Sequence, residues 1–84
     1  MLVDFFAAWC SPCKRLSAEL EKLSNSRSNF DIVKVNLDEL KDMAIKYELN
    51  AIPTLVVFKD GEIVDRMMGV DNEENILNFV SKHI

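Results

Sequence analysis

The chain has 84 residues, 49% of them hydrophobic and 29% charged, and its 14 acidic and 10 basic residues leave a net charge of -4 at pH 7. That length predicts one small domain over residues 1–84, near the size where independent folding becomes marginal, and the composition argues against disorder, low complexity or a disulfide-stapled miniprotein. No Lys/Arg cluster is present to track phosphates, so nucleic acid is excluded as a direct ligand, and the longest apolar runs are far too short to span a bilayer.

Leu2 to Ala7 reads as a buried strand, a short run rich in Val and Phe ahead of a helix start at Ser11 and Pro12, with Asp4 as its odd residue. From Pro12 onward Leu16, Leu20 and Leu23 recur at helical spacing until Asn25 to Asn29 ends the pattern. Phe30 to Leu37 is a β-rich run, and Leu40, Met43, Ala44 and Tyr47 resume helical spacing. After Ala51-Ile52-Pro53, two strands, Thr54 to Lys59 and Glu62 to Met68, flank an Asp60-Gly61 pair suited to a tight hairpin. Asp71, with Glu74 three residues on, reads as a capping box opening a last helix whose apolar stripe is Ile76, Leu77, Val80 and Ile84. The sum predicts an α/β fold, βαβ followed by α and ββα, with a parallel crossover, an antiparallel edge and helices on the faces.

Cys10 and Cys13 are the only cysteines, spaced Cys-x-x-Cys between Trp9 and Lys14. A dithiol enzyme needs one thiolate available near neutral pH, and the first turn of a helix supplies it through unpaired N–H groups and the helix dipole. Pro12 suits that first turn and stiffens the loop, which keeps Cys13 near any mixed disulfide formed on Cys10. Spacing alone leaves other readings open. A structural staple is a poor one, since so small a loop gains little chain-entropy stabilisation. Zinc wants four ligands where the chain offers two thiols and His83, and c-type haem attachment wants His where Lys14 stands. Metal is therefore expected to be absent. An acid among Leu, Val and Phe should have its ionised form disfavoured by desolvation, which suits Asp4 to proton exchange with the Cys13 thiol, although a rim carboxylate remains the plain alternative. His83, in the last helical turn with no visible partner, reads as structural, and Asp38, Glu39 and Asp42 as the solvated start of a helix.

Val3-Asp4-Phe5-Phe6-Ala7-Ala8-Trp9-Cys10-Ser11-Pro12-Cys13-Lys14 resembles the active-site segment of thioredoxins. Ala51-Ile52-Pro53-Thr54-Leu55 resembles the family's cis-proline loop, Phe58-Lys59-Asp60-Gly61 its hairpin, and Met68-Gly69-Val70 its substrate-groove glycine segment, so the likeness runs through nearly the whole chain. The resemblance implies a minimal thioredoxin fold with a four-stranded mixed sheet. It also implies a protein-disulfide reductase in which Cys10 attacks, Cys13 resolves, Asp4 is the buried carboxylate and Lys34 the lysine that helps set its charge, against the alternative of Lys34 as a snorkelling surface residue. Pro53 would be the cis-proline facing the dithiol, with Ile52 and Thr54 presenting backbone groups to an extended substrate. Trp9, Ser11, Pro12, Ala51, Met68, Gly69 and Val70 would complete the substrate-binding surface, with a core position as the alternative for Met68. No cofactor beyond the Cys10–Cys13 disulfide is implied. Electrons would come from a flavoenzyme of the thioredoxin reductase type, and disulfide-containing proteins would be the substrates.

Ser11 stands where thioredoxins commonly carry Gly, Phe6 where many carry Trp, and Ala18 where many carry a helix-kinking Pro. Thioredoxins usually carry a further strand and helix before the strand of Asp4, and without them a sheet edge and an apolar patch would be exposed. A naturally minimal form, a partial sequence and a domain that associates through that edge all fit. The expected species is a monomer, with that edge as a route to self-association, and the first residues lack the features of a secretory signal, which makes the cytoplasm the expected compartment. Two rivals to the reductase fit the same sequence: an oxidase or isomerase domain of an oxidising compartment, and a non-catalytic binding module built on the same groove.

Overall fold

A computed structural model describes residues 1–26, 30–49 and 51–83. The chain runs β1 (Leu2–Phe6), α1 (Ser11–Ser26), β2 (Ile32–Asn36), α2 (Lys41–Lys46), β3 (Thr54–Lys59), β4 (Glu62–Met68) and α3 (Glu73–Ser81). The strands form one four-stranded mixed sheet in the order β2-β1-β3-β4. β1 is therefore central, parallel to β2 and antiparallel to β3, and its alternating side chains serve both faces of the sheet. Leu2 and Asp4 point to one side and Val3 and Phe5 to the other.

On the first side α1 presents Cys13, Leu16, Leu20 and Leu23, all buried, one stripe spaced three or four residues apart. α3 adds Ile76, Phe79 and Val80, and the two helices meet over Leu2, Leu55 and Val57. Sealing side chains of this size away from water contributes about 1.5–3 kcal/mol each, the main force holding α1 at a fixed height on the sheet. Glu19 of α1 ties the helices further by accepting the Glu73 N–H at 3.0 Å. On the second side Val3, Phe5 and Val56 are packed by Tyr47, Met43 and Phe58 from the short α2 region and β3.

The hairpin forms as its sequence predicts: Lys59 pairs with Glu62, and Asp60 and Gly61 both take positive φ, 55° and 82°, the twist-matched two-residue turn for which Gly is suited. Several boundaries differ from the sequence reading. α1 continues past Asn25 to Ser26, and the rest of the predicted Asn25–Asn29 break lies outside the described residues, as does Ile84. β1 stops at Phe6, β2 is shorter than Phe30 to Leu37 at both ends, and α2 spans only Lys41–Lys46. The last helix is capped by Asn72, whose Oδ1 accepts the Asn75 N–H at 2.8 Å. Asp71 is not the cap, because its Oδ1 is taken by the Asn72 N–H and the Asn75 side-chain amide.

Candidate active site

The dithiol sits where β1 ends and α1 begins. The Cys10 N–H donates to the Ala7 carbonyl at 3.2 Å, turning the chain into the helix. Cys10 and Cys13 are joined as a disulfide with Cα atoms 5.2 Å apart. Both are buried, 4% and 3% exposed, in a cluster with Ala7 against which Phe6 and Ile52 pack. Exposure therefore does not distinguish the two sulfurs; their polar surroundings do. Cys10 Sγ accepts the Cys13 N–H at 3.2 Å, one of the free donors at the helix start and the type of contact that favours a thiolate. Cys13 instead lines a hollow of about 200 Å³ shared with Asp4, Ser17 and Lys34.

Asp4 is 1% exposed, and neither of its carboxylate oxygens has a hydrogen-bond partner among the described residues. Burial lifts its pKa from the ordinary 3.8 to about 6, and the Lys34 ammonium opposes the rise. The two are register partners across β1 and β2, which puts their side chains on the same sheet face. Lys34 itself reaches back to α1, its Nζ donating to Ser17 Oγ.

The Ile52–Pro53 peptide bond is cis, and Pro53 is buried. The Thr54 hydroxyl donates to the Ala51 carbonyl, and the Gly69 N–H, on a residue with φ 87°, donates to the Pro53 carbonyl at 2.9 Å. The cis-proline loop thus joins the dithiol through Ile52 and the Gly69 segment through Pro53. Met68 lies opposite Thr54 in the β3–β4 register and is 66% exposed, which removes a core role for it. Val70 borders a different, shallow hollow with Arg15, Ala18 and Asn72. Ser11 and Ala51 are exposed and Pro12 is half-buried.

Two contacts correct the sequence reading. Asp38 is not merely the solvated start of a helix: its Oδ1 accepts the Trp9 indole N–H at 3.0 Å and its Oδ2 the Ala8 N–H at 3.2 Å. Trp9, 72% exposed, is consequently a fixed plate beside Cys10. The signal lay in register, since parallel pairing of Phe6 with Asn36 puts the residues just after each strand side by side. His83 does have a partner, since its Nε2 lies 2.9 Å from Asp65 Oδ2, and this contact holds the Asp65 carboxyl below the usual range.

A cysteine pair closed across the first turn of a helix, facing a cis-proline loop and backed by a buried carboxylate, defines a thiol-disulfide oxidoreductase of the thioredoxin fold. A sequence profile of the thioredoxin family matches residues 1–82. Thioredoxins of Staphylococcus epidermidis and Staphylococcus aureus are 46% and 45% identical to the chain, each alignment covering 99% of it and 81% of the relative. The X-ray structure of Fasciola hepatica thioredoxin superposes with a TM-score of 0.89 at 37% identity, covering 99% of this chain and 79% of that one. The chain belongs to the thioredoxin family. It is a disulfide oxidoreductase whose redox group is its own cysteine pair, and the family uses no cofactor beyond that disulfide. Among the described residues no cluster of three or more His, Cys, Asp and Glu could hold a metal ion, and no helix is long and apolar enough to cross a membrane. Membership implies disulfide-containing substrates and a thioredoxin reductase partner in general terms.

Proposed function

We propose that the chain acts as a single domain in the cytoplasm, reducing disulfides of substrate proteins with Cys10 as the attacking residue and Cys13 as the resolving one. The observation that carries this assignment is the unequal setting of two equally buried sulfurs, Cys10 on a helix-start N–H and Cys13 on the hollow of Asp4. In the reduced protein the Cys10 thiolate attacks one sulfur of the substrate disulfide and expels the other as a thiolate. A Cys10–substrate mixed disulfide results. The Cys13 thiol then passes its proton to the Asp4 carboxylate, for which the hollow has room even through water, a single water's share of liquid volume being roughly 30 Å³. The Cys13 thiolate attacks Cys10 Sγ, the second substrate sulfur leaves as a thiolate, and two electrons have moved from the dithiol to the substrate. A flavoenzyme of the thioredoxin reductase type returns them.

Lys34 favours the charged form of Asp4 and so limits how far its pKa rises. Trp9, Ser11, Pro12, Ala51, Ile52, Pro53, Thr54, Met68, Gly69 and Val70 are the surface on which an extended substrate segment would lie. The acting species in this reading is a monomer, and the open edge at β2 is where a second copy would add.

Reductant-driven reduction of insulin disulfides tests the reading. Cys10→Ser is expected to fall to the reductant background, whereas Cys13→Ser should accumulate a covalent adduct with substrate, visible by non-reducing electrophoresis. Adducts retained on Cys13 in Cys10→Ser, with none formed by Cys13→Ser, would reverse the assignment.

A further inference from the structure

Lys34 stands between two hollows on the α1 side of the sheet. One, of about 200 Å³, is lined by Asp4, Cys13, Lys14 and Ser17, among others. The other, of about 330 Å³, is lined by Leu20, Glu21, Ser24 and Ile32. A lysine has four rotatable stem bonds and a strongly hydrated head, so the Lys34 ammonium can turn toward either hollow, the one lined by Asp4 or the one lined by Glu21. Ser17 and Glu21 are four residues apart on α1 and therefore neighbours on one helix face, each marking one of the hollows. The Lys34 Nζ is found donating to Ser17 Oγ, at the hollow of Asp4 and Cys13.

The geometry points to Ser17 as a positioning residue for the redox reaction: its hydroxyl holds the Lys34 ammonium on the Asp4 side and thereby sets the pH at which Asp4 becomes able to accept the Cys13 proton. The inference rests on the role proposed above for Asp4. The charged and titratable groups around the hollow are Asp4 from β1, Lys34 from β2 and Cys13 and Lys14 from α1, while β3 places the apolar Leu55 beside Asp4. Lys34 is the cation paired with Asp4 in register, and it is the group whose charge opposes the effect of burial there. Without the hydroxyl the ammonium divides its time between the two hollows and the carboxylate loses part of its counter-charge. The ionised form of Asp4 becomes less favoured, so Asp4 changes charge at a higher pH. Resolution needs ionised Asp4, and its acid limb moves up with it.

Two readouts on the full chain test this: the pH titration of the Asp4 carboxyl carbon by NMR in the oxidised protein, and the pH dependence of insulin-disulfide turnover. Ser17→Ala should raise both midpoints by about half a pH unit, Lys34→Met by about one, on the scale expected for partial and full loss of a nearby opposite charge. Ser17→Thr keeps the acceptor and should titrate as the parent does. Ser17→Ala should add nothing once Lys34 is Met, because the hydroxyl acts only through the ammonium. A Ser17→Ala titration that superimposes on the parent, while Lys34→Met moves, overturns the inference and leaves the role of Asp4 standing. An acid limb that survives in Asp4→Asn overturns the role of Asp4 itself, and the NMR titration then still decides whether Ser17 positions Lys34.

Discussion

On the side of the sheet covered by α1 and α3, Leu2, Leu16, Leu20, Leu23, Ile76 and Val80 are shut away from water, and the same layer encloses Asp4 and Cys13. Across the sheet, α2 contributes no buried residue, Val33 is 40% exposed, and a concavity of about 490 Å³ lined by Val3, Phe5, Val35, Met43 and Tyr47 opens to solvent. The contrast shows where the protein needs dryness. A carboxylate whose pKa must rise to be useful has to be walled off, and Asp4 lies on the sheet face that the leucine stripe of α1 covers. The open side carries none of the groups proposed for the reaction.

The sharpest way to break this contrast is to cut into the sealed side. Leu20→Ala should lose about 3 kcal/mol of unfolding free energy in a denaturant titration, a typical cost for a large-to-small change in a closed core. A loss under about 1 kcal/mol would mean that the layer is not the tight wall described.

The second test uses the group behind that wall. A carboxyl whose folded pKa is raised binds more protons folded than unfolded, so its contribution to stability is greatest in acid and declines as pH climbs from about 4 to about 6. Asp4→Asn removes that decline. Relative to its value at pH 4, the variant's stability advantage over the parent should grow by roughly 2 kcal/mol by pH 7. Glu19, Asp65 and Asp71, all held below the usual carboxylate range, pull the other way as acid is added, but they are common to both proteins and cancel in the difference. A difference that stays flat with pH would mean that burial does not raise the Asp4 pKa.

The smallest effect belongs to the open side. Val33→Thr keeps the branched β-carbon on an exposed edge strand and should shift stability by no more than about 0.5 kcal/mol. A larger loss would show that this side is covered in solution.

Most of the architecture was legible because it is written in period. The stripe Leu16, Leu20, Leu23 gave α1, the Asp60-Gly61 pair gave the hairpin, and the short apolar runs gave the strands. The chemistry was legible where it is local or out of character: two cysteines at a helix start, and an acid inside an apolar strand. What sequence reading missed are side-chain pairs between elements. Asp38 and Trp9 are 29 residues apart, His83 and Asp65 are 18 apart, and Lys34 and Ser17 are 17 apart. Nothing periodic links such pairs, because register and helix height set them. The cap at Asn72 was missed for a local reason, as Asp71 and Asn72 are both good capping types and only the geometry shows which oxygen faces the Asn75 N–H.

The bond between the Trp9 indole and Asp38 has a practical side. Trp9 is the chain's single tryptophan and stands next to Cys10, tethered yet open to solvent. The indole fluorescence of this protein therefore comes from one address, beside the sulfur that is oxidised and reduced. Quenching by the neighbouring disulfide, or a shift in emission when a polypeptide covers the ring, can be followed on the unlabelled molecule, with no background from a second indole.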